Sequence, residues 1–330
     1  MRKRMNAHML ASLALALSLV LTACGGPSNA PEEETAPEPI RVAALKGPTG
    51  MGLAGLEEAY GADSGELTLT LAGSADEITP ALIQGELDAA CIPANLAAVL
   101  YNKTGGEIVT AGINTLGVLY IVEKGNAIQS LEDLRGMTIA AAGKGSTPEH
   151  ALRYLLEQNG LDPDGDVVLD WKSEHSECVA ALASGAATIA LLPQPFVTAA
   201  QGKLPELRVA LDLTQEWAAL DNGSALLTGV VVVRKALAEA PPAAVERFLE
   251  NYAASVEWVN GNTAEAARRI GEMGIVDGAV AEKALPYCNI VCITGQEMKE
   301  KLSGYLQVLY DASPDAVGGA LPGEDFYHGA

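Results

Sequence analysis

Two stretches of the chain, one hundred positions apart, carry the same punctuation. Leu82-Ile83-Gln84-Gly85-Glu86-Leu87-Asp88-Ala89-Ala90-Cys91-Ile92-Pro93 is echoed by Leu182-Ala183-Ser184-Gly185-Ala186-Ala187-Thr188-Ile189-Ala190-Leu191-Leu192-Pro193, with Leu, Gly, Ala and Pro at matching places. Each copy reads as the end of a helix, a Gly at its C′ position, a short buried strand, and a Pro that stops the strand and opens another helix. Upstream, Val42-Ala43-Ala44-Leu45-Lys46-Gly47-Pro48-Thr49 resembles Ile139-Ala140-Ala141-Ala142-Gly143-Lys144-Gly145-Ser146-Thr147 with one residue inserted. Lys46 lies 47 positions before Pro93 and Lys144 lies 49 before Pro193, so the order of the units is kept. Repetition of this kind predicts two similar α/β lobes with mostly parallel sheets, whose ligand loops sit at the carboxyl ends of the strands. Independent strand–helix units with similar turns predict the same alternation.

Gly117-Val118-Leu119-Tyr120-Ile121-Val122 and Gly229-Val230-Val231-Val232-Val233 are continuous apolar runs of strand length, and they bracket the second copy. They predict a chain that leaves lobe 1 and later returns to it, with residues 40–121 and 229–330 in lobe 1, residues 122–228 in lobe 2, and the two runs as crossing hinge strands. After Pro242, Val245, Phe248, Leu249, Tyr252, Val256 and Val259 follow helical spacing, as do Met298, Leu302, Tyr305 and Leu306. Both stripes are read as core.

The first 23 residues follow a different grammar. Arg2, Lys3 and Arg4 precede an apolar run from Met9 to Leu21, which is shorter than the roughly 20 residues a membrane-spanning helix needs. With Thr22, Ala23 and Cys24 the stretch resembles a bacterial lipoprotein signal, read as residues 1–23, cleaved so that Cys24 is lipidated. The next stretch, residues 24–39, carries four prolines, four glutamates and no large apolar side chain, so it reads as a flexible tether. The expected location is the extracytoplasmic face of the cell membrane, held there by lipid.

Removing the three leader cations leaves 18 basic against 42 acidic residues. That balance argues against nucleic acid as a partner, because neutralising phosphates takes a basic face. Cys91, Cys178, Cys288 and Cys292 show no CxxC spacing and no accompanying histidine pair, so no metal and no cofactor is expected. They read as mostly buried small apolar residues, and a Cys288–Cys292 bridge would require the backbone to bend back on itself.

These features together resemble the substrate-binding proteins of ABC importers. The resemblance covers nearly all of the chain from Ile40 onward. It rests on Leu-x-x-Gly-x-x-Asp-Ala-Ala at 82–90, on Ser130-Leu131-Glu132-Asp133-Leu134-Arg135-Gly136-Met137-Thr138-Ile139-Ala140 as the entry to lobe 2, and on Leu192-Pro193-Gln194-Pro195-Phe196. The most similar branch is the one for sulfonates, nitrate and thiamine-pyrimidine precursors. The resemblance implies a type II periplasmic-binding-protein fold with two Rossmann-like lobes around a cleft, a small-molecule ligand, and a permease and an ATPase as partners. Gln194 departs from the acidic residue many relatives carry there. Trp171, Trp217 and Trp258 fall outside the predicted cleft loops, which gives no support to a stacked pyrimidine.

The repeat directs five loops at one inter-lobe cleft: Gly47–Gly52, Gly73–Glu77, Pro93–Asn95, Gly143–Thr147 and Pro193–Pro195. Each precedes a predicted helix, whose free N–H groups favour an anion by about 0.3 to 1 kcal/mol per charge interaction. The candidate ligand contacts are Thr49, Gly50, Ser74, Asp76, Pro93, Asn95, Ser146, Thr147 and Gln194, joined by Asn114 and Thr115 ahead of the first crossing. Ser74 and Ser146 are equally suited to N-capping. Lys46 and Lys144 either pair with an anionic ligand or stand in solvent, the commoner fate of a lysine. Asp76 and Glu77 either cap their helix or bind a cation, which would reverse the anion reading.

Two readings of another class stay open. His175 and Cys178 lie one helical turn apart and could pair as base and nucleophile, but their segment reads as a helix away from the cleft loops. A ligand-sensing receptor can use the same two-lobe scaffold as an importer's binding protein.

Overall fold

The computed structural model describes residues 39–60, 67–239 and 244–330. The leader, Cys24, the tether up to residue 38, and Pro242 lie outside the described residues.

Among the described residues, eleven strands form two sheets. The first contains β1 (Ile40–Leu45), β2 (Leu67–Ala72), β3 (Ala89–Pro93), β4 (Ile108–Leu116), β10 (Leu227–Arg234) and β11 (Ile290–Ile293), in the order β11-β4-β10-β3-β1-β2. The second contains β5 (Leu119–Glu123), β6 (Thr138–Ala142), β7 (Val168–Lys172), β8 (Ile189–Pro193) and β9 (Arg208–Asp212), in the order β7-β6-β8-β5-β9. Each sheet holds a parallel trio, β2-β1-β3 or β7-β6-β8, joined by crossover helices. An antiparallel strand then flanks each trio, with Gly229 of β10 opposite Pro93 and Leu119 of β5 opposite Pro193.

The chain changes sheet at Gly117-Val118 and again between Asp212 and Leu227. The boundaries therefore differ from those expected at 121/122 and 228/229. The runs read as hinge strands each pair wholly within one sheet, 119–123 in the second and 227–234 in the first. Hydropathy marks both runs equally, because a central strand and a crossing segment are both apolar on all sides. At the first crossing, Asn289 holds the chain: its Nδ2 donates to Gly117 O at 2.6 Å, and its carbonyl accepts from Leu116 N at 3.1 Å.

Alternation along the strands divides the core into three. Val231 and Val233 of β10 face the apolar stripe of the helix Ala244–Gly261, while Val230 and Val232 face the other way. Val122, Ala190 and Leu192 pack against the helices on the outer side of the second sheet. The third core is continuous between the sheets and includes Ile92, Ile121 with its strand partner Leu191, Leu152, Trp217 and Tyr305. The C-terminal helix Gly295–Ala312 belongs to it and packs on both the helix Ala94–Thr104 and the helix Thr147–Gln158. All four described cysteines are free, so Cys288 and Cys292 are not bridged. Among the described residues no helix is long and apolar enough to cross a membrane.

Candidate functional site

The six parallel strands end at one place. Residues at or just beyond the carboxyl ends of β1, β2, β3, β6, β7 and β8 line a cavity of about 270 Å³ between the sheets. All five loops named from the sequence contribute: Gly47–Thr49, Gly73–Asp76, Pro93, Gly143–Ser146 and Pro193. A sixth, Lys172–His175 after β7, completes the ring, and Thr228 of β10 and Leu119 of β5 supply part of the wall.

The sixth loop was missed by sequence reasoning, although a signal for it exists. The offset of one hundred that relates Pro93 to Pro193 also relates Ser74 to Glu174 and Ala75 to His175. His175, expected in a helix away from the cleft, is the first residue of the helix His175–Ser184 and lines the cavity. Its ring packs against Phe196 with centroids 5.3 Å apart, and its Nδ1 is sealed from solvent without a hydrogen-bond partner among the described residues. Burial pushes the imidazole down to about 4, so it is neutral at physiological pH. Cys178, its supposed nucleophilic partner, is buried and its thiol is pushed up to about 12, opposite to what a thiolate nucleophile needs.

Of the eleven candidate contacts, Thr49, Ser74, Asp76, Pro93 and Ser146 line the cavity. The other six stand behind its wall. Gly50 is buried in the first turn after β1, where an added Cβ would lie 2.6 Å from Leu45 O. Asn114 accepts from the Thr115 hydroxyl at 3.0 Å, and both lie under the floor, where Gly229 lets Thr49 and Asn114 approach closely. Gln194 turns its Oε1 to the N–H and hydroxyl of Thr198 at 3.3 and 2.9 Å, at the start of the helix Phe196–Lys203. Thr147 donates to Asn95 Oδ1 at 3.3 Å, so these two side chains meet each other across the lobes.

The charges around the cavity are mixed. Lys46 and Lys144 enter from opposite lobes, and neither ammonium has a carboxylate or hydrogen-bond partner among the described residues. Lys172 is held by Asp170 at 2.8 Å. Asp76 and Glu174 add two carboxylates, and Glu174 reaches the opposite lobe: a Cβ on Gly73 would lie 2.5 Å from its Oε2.

The helix starts are less open to an anion than the sequence suggests. Glu77 Oε1 accepts from the N–H groups of Gly73 and Ser74 at 3.1 and 2.9 Å, Glu149 Oε2 from Gly145 N at 2.6 Å, and Glu177 Oε2 from Ser173 N at 3.0 Å. Three loops thus have N–H groups occupied by a carboxylate of the following helix, which also offsets the helix dipole. Ser146 Oγ is likewise engaged, donating to Gly143 O at 2.7 Å. The lysines are the cationic groups left at the cavity. No cluster of three His, Cys, Asp or Glu that could hold a metal is present among the described residues.

Solved structures share this arrangement. An ABC transporter protein from Parabacteroides distasonis is 27% identical with a TM-score of 0.72, covering 88% of this chain and 99% of its own. The alkanesulfonate-binding protein from Xanthomonas axonopodis pv. citri, bound to MOPS, is 17% identical with a TM-score of 0.68, covering 89% and 97%. The periplasmic aliphatic sulphonate-binding protein from Escherichia coli is 18% identical with a TM-score of 0.67, covering 86% and 91%. The fold is that of type II periplasmic binding proteins. No curated protein matches the chain. Residues 53–279 match the family model described as ABC transporter, phosphonate, periplasmic substrate-binding protein. That span runs through every strand of the second sheet and most of the first, and on it the chain belongs to this family of periplasmic substrate-binding proteins of ABC transporters.

Proposed function

We propose that the protein captures a small organic oxyanion between its lobes and delivers it to the permease and ATPase of an ABC importer, with phosphonates as the class best suited to the cavity. The observation that carries this reading is the couple Lys46 and Lys144, unpaired among the described residues. An oxyanion between them meets a cation from each lobe, so it binds the closed form better than the open one, the only way a ligand can drive closure. No chemical step is required.

The acceptors beside the lysines narrow the class. The Asp76 and Glu174 carboxylates are matched only by a ligand that offers a proton. A phosphonate monoanion retains a P–OH donor, whereas sulfonate and nitrate carry none. The description of the matching family supports the same choice. Titration calorimetry with methylphosphonate, methanesulfonate and nitrate tests it. Heat from methylphosphonate and none from the other two is the expected result, and the reverse order overturns the reading.

The reading extends to the membrane. Cleavage before Cys24 and lipidation of its thiol would hold the cleft at the extracytoplasmic face, which the charged start, the short apolar run and the small residues at 22 and 23 support. Metabolic labelling with a radioactive fatty acid should mark the protein, and Cys24→Ser should abolish the label.

A further inference from the structure

We propose that Asn95 is a positioning residue that clasps the two lobes behind the cavity and seats the loop carrying Lys144 and Ser146. The inference rests on the two-lobe capture argued above but not on the class of ligand.

Asn95 is fully buried in the first turn of the helix Ala94–Thr104. Its neighbours Pro93 and Leu96 line the cavity, while Asn95 points behind it. Its Nδ2 donates to Ala316 O at 3.0 Å, which fixes the amide against the C-terminal segment. The same nitrogen donates to Gly145 O at 3.4 Å, and Oδ1 accepts from Thr147 Oγ1 at 3.3 Å. One side chain of the first lobe therefore meets a donor and an acceptor of a single loop in the second.

That loop is tightly wound. Gly143 and Gly145 both take left-handed backbone, at φ 83 and 74. Ser146 N donates to Gly143 O at 3.1 Å, and Thr147 opens the helix Thr147–Gln158. Thr147 is completely buried, and the Tyr305 hydroxyl, which has no other partner among the described residues, faces it. With the lobes together, the Thr147 hydroxyl is cut off from water and faces Asn95 and Tyr305, while the Asn95 amide also spans to the carbonyl of Gly145, which lies at the surface. Separating Asn95 from this loop would break both bonds and leave the buried Thr147 hydroxyl with Tyr305 alone. Asn95 thereby favours the closed state by interactions that exist only there.

The test places spin labels at Lys203 and Lys283, on two helices that meet across the cleft, and measures their separation with and without saturating methylphosphonate. Asn95→Ala and Thr147→Val should each move the bound protein toward longer distances and speed ligand release about ten-fold. The double variant should be no worse than either single one, and Thr147→Ser should restore the parent behaviour. A parent-like distance distribution in Asn95→Ala, with only a lowered melting temperature, overturns the proposal. If methylphosphonate fails to bind the parent, the ligand class is wrong. The distances without ligand then decide: lengthening in Asn95→Ala supports the clasp, and no change overturns it.

Discussion

Lys46 and Lys144 occupy corresponding loops of the two repeated units, one the first residue after β1 and the other the second residue after β6, and they approach a single cavity from opposite lobes. Each of these strands is the middle member of its parallel trio. Both side chains are exposed and unpaired among the described residues, so replacing them tests the proposed ligand contacts without disturbing packing. Lys46→Ala and Lys144→Ala should each weaken methylphosphonate binding by about ten- to a hundred-fold, the range for a charge-assisted hydrogen bond, with little change in melting temperature. Calorimetry at two salt concentrations checks the mechanism, since added salt should weaken the parent more than the double variant.

The imidazole of His175 makes acid stability a readout of its burial. Its folded value is lowered from 6.5 to about 4. Between these values the unfolded chain binds more protons, so stability is fully present above 6.5 and is lost as pH falls toward 4. The loss attributable to this group is at most about 3 kcal/mol. Denaturant titrations from pH 7 to 4 should show a shallower decline in His175→Gln than in the parent. Equal slopes would mean that the ring titrates normally.

Gly229 forms the floor beneath Thr49. A Cβ there would lie 2.4 Å from Thr49 Cγ2 and 2.5 Å from Asn114 Oδ1, both buried side chains. Gly229→Ala should therefore cost about 1 to 3 kcal/mol and lower the melting temperature by on the order of 5 °C. Because Thr49 lines the cavity, affinity for methylphosphonate should fall as well.

Burial pushes the thiols of Cys91, Cys178 and Cys288 up to about 12. Alkylation by iodoacetamide at pH 8 should leave these three untouched in the native protein and modify them on denaturation. Mass spectrometry of labelled peptides reads the outcome residue by residue.

The architecture was legible because turn chemistry repeats. Gly85 and Gly185 both adopt left-handed backbone at φ 78 as helix caps, and Pro93 and Pro193 both end strands at the cavity. The loops around the cavity followed from that pattern, since strand ends fix where loops emerge. Side-chain direction did not follow. Asn95, Thr147 and Gln194 are adjacent to lining residues but turn away, because their amide and hydroxyl groups find partners behind the wall. His175 was hidden for another reason. Its loop lacks the glycine that marked Gly73 and Gly143, and only the spacing from Ala75 reveals it.

The exchange of strands between the two halves sets an order for assembly. Every strand of the second sheet lies between residues 119 and 212, so that half can form from an uninterrupted piece of chain. The first sheet must wait for β10, which inserts between β3 and β4, and for β11 at its edge. As the polypeptide emerges, the internal half can therefore fold while the flanking half still lacks its central strand, and a chain stopped near residue 226 would carry one finished sheet and one open gap.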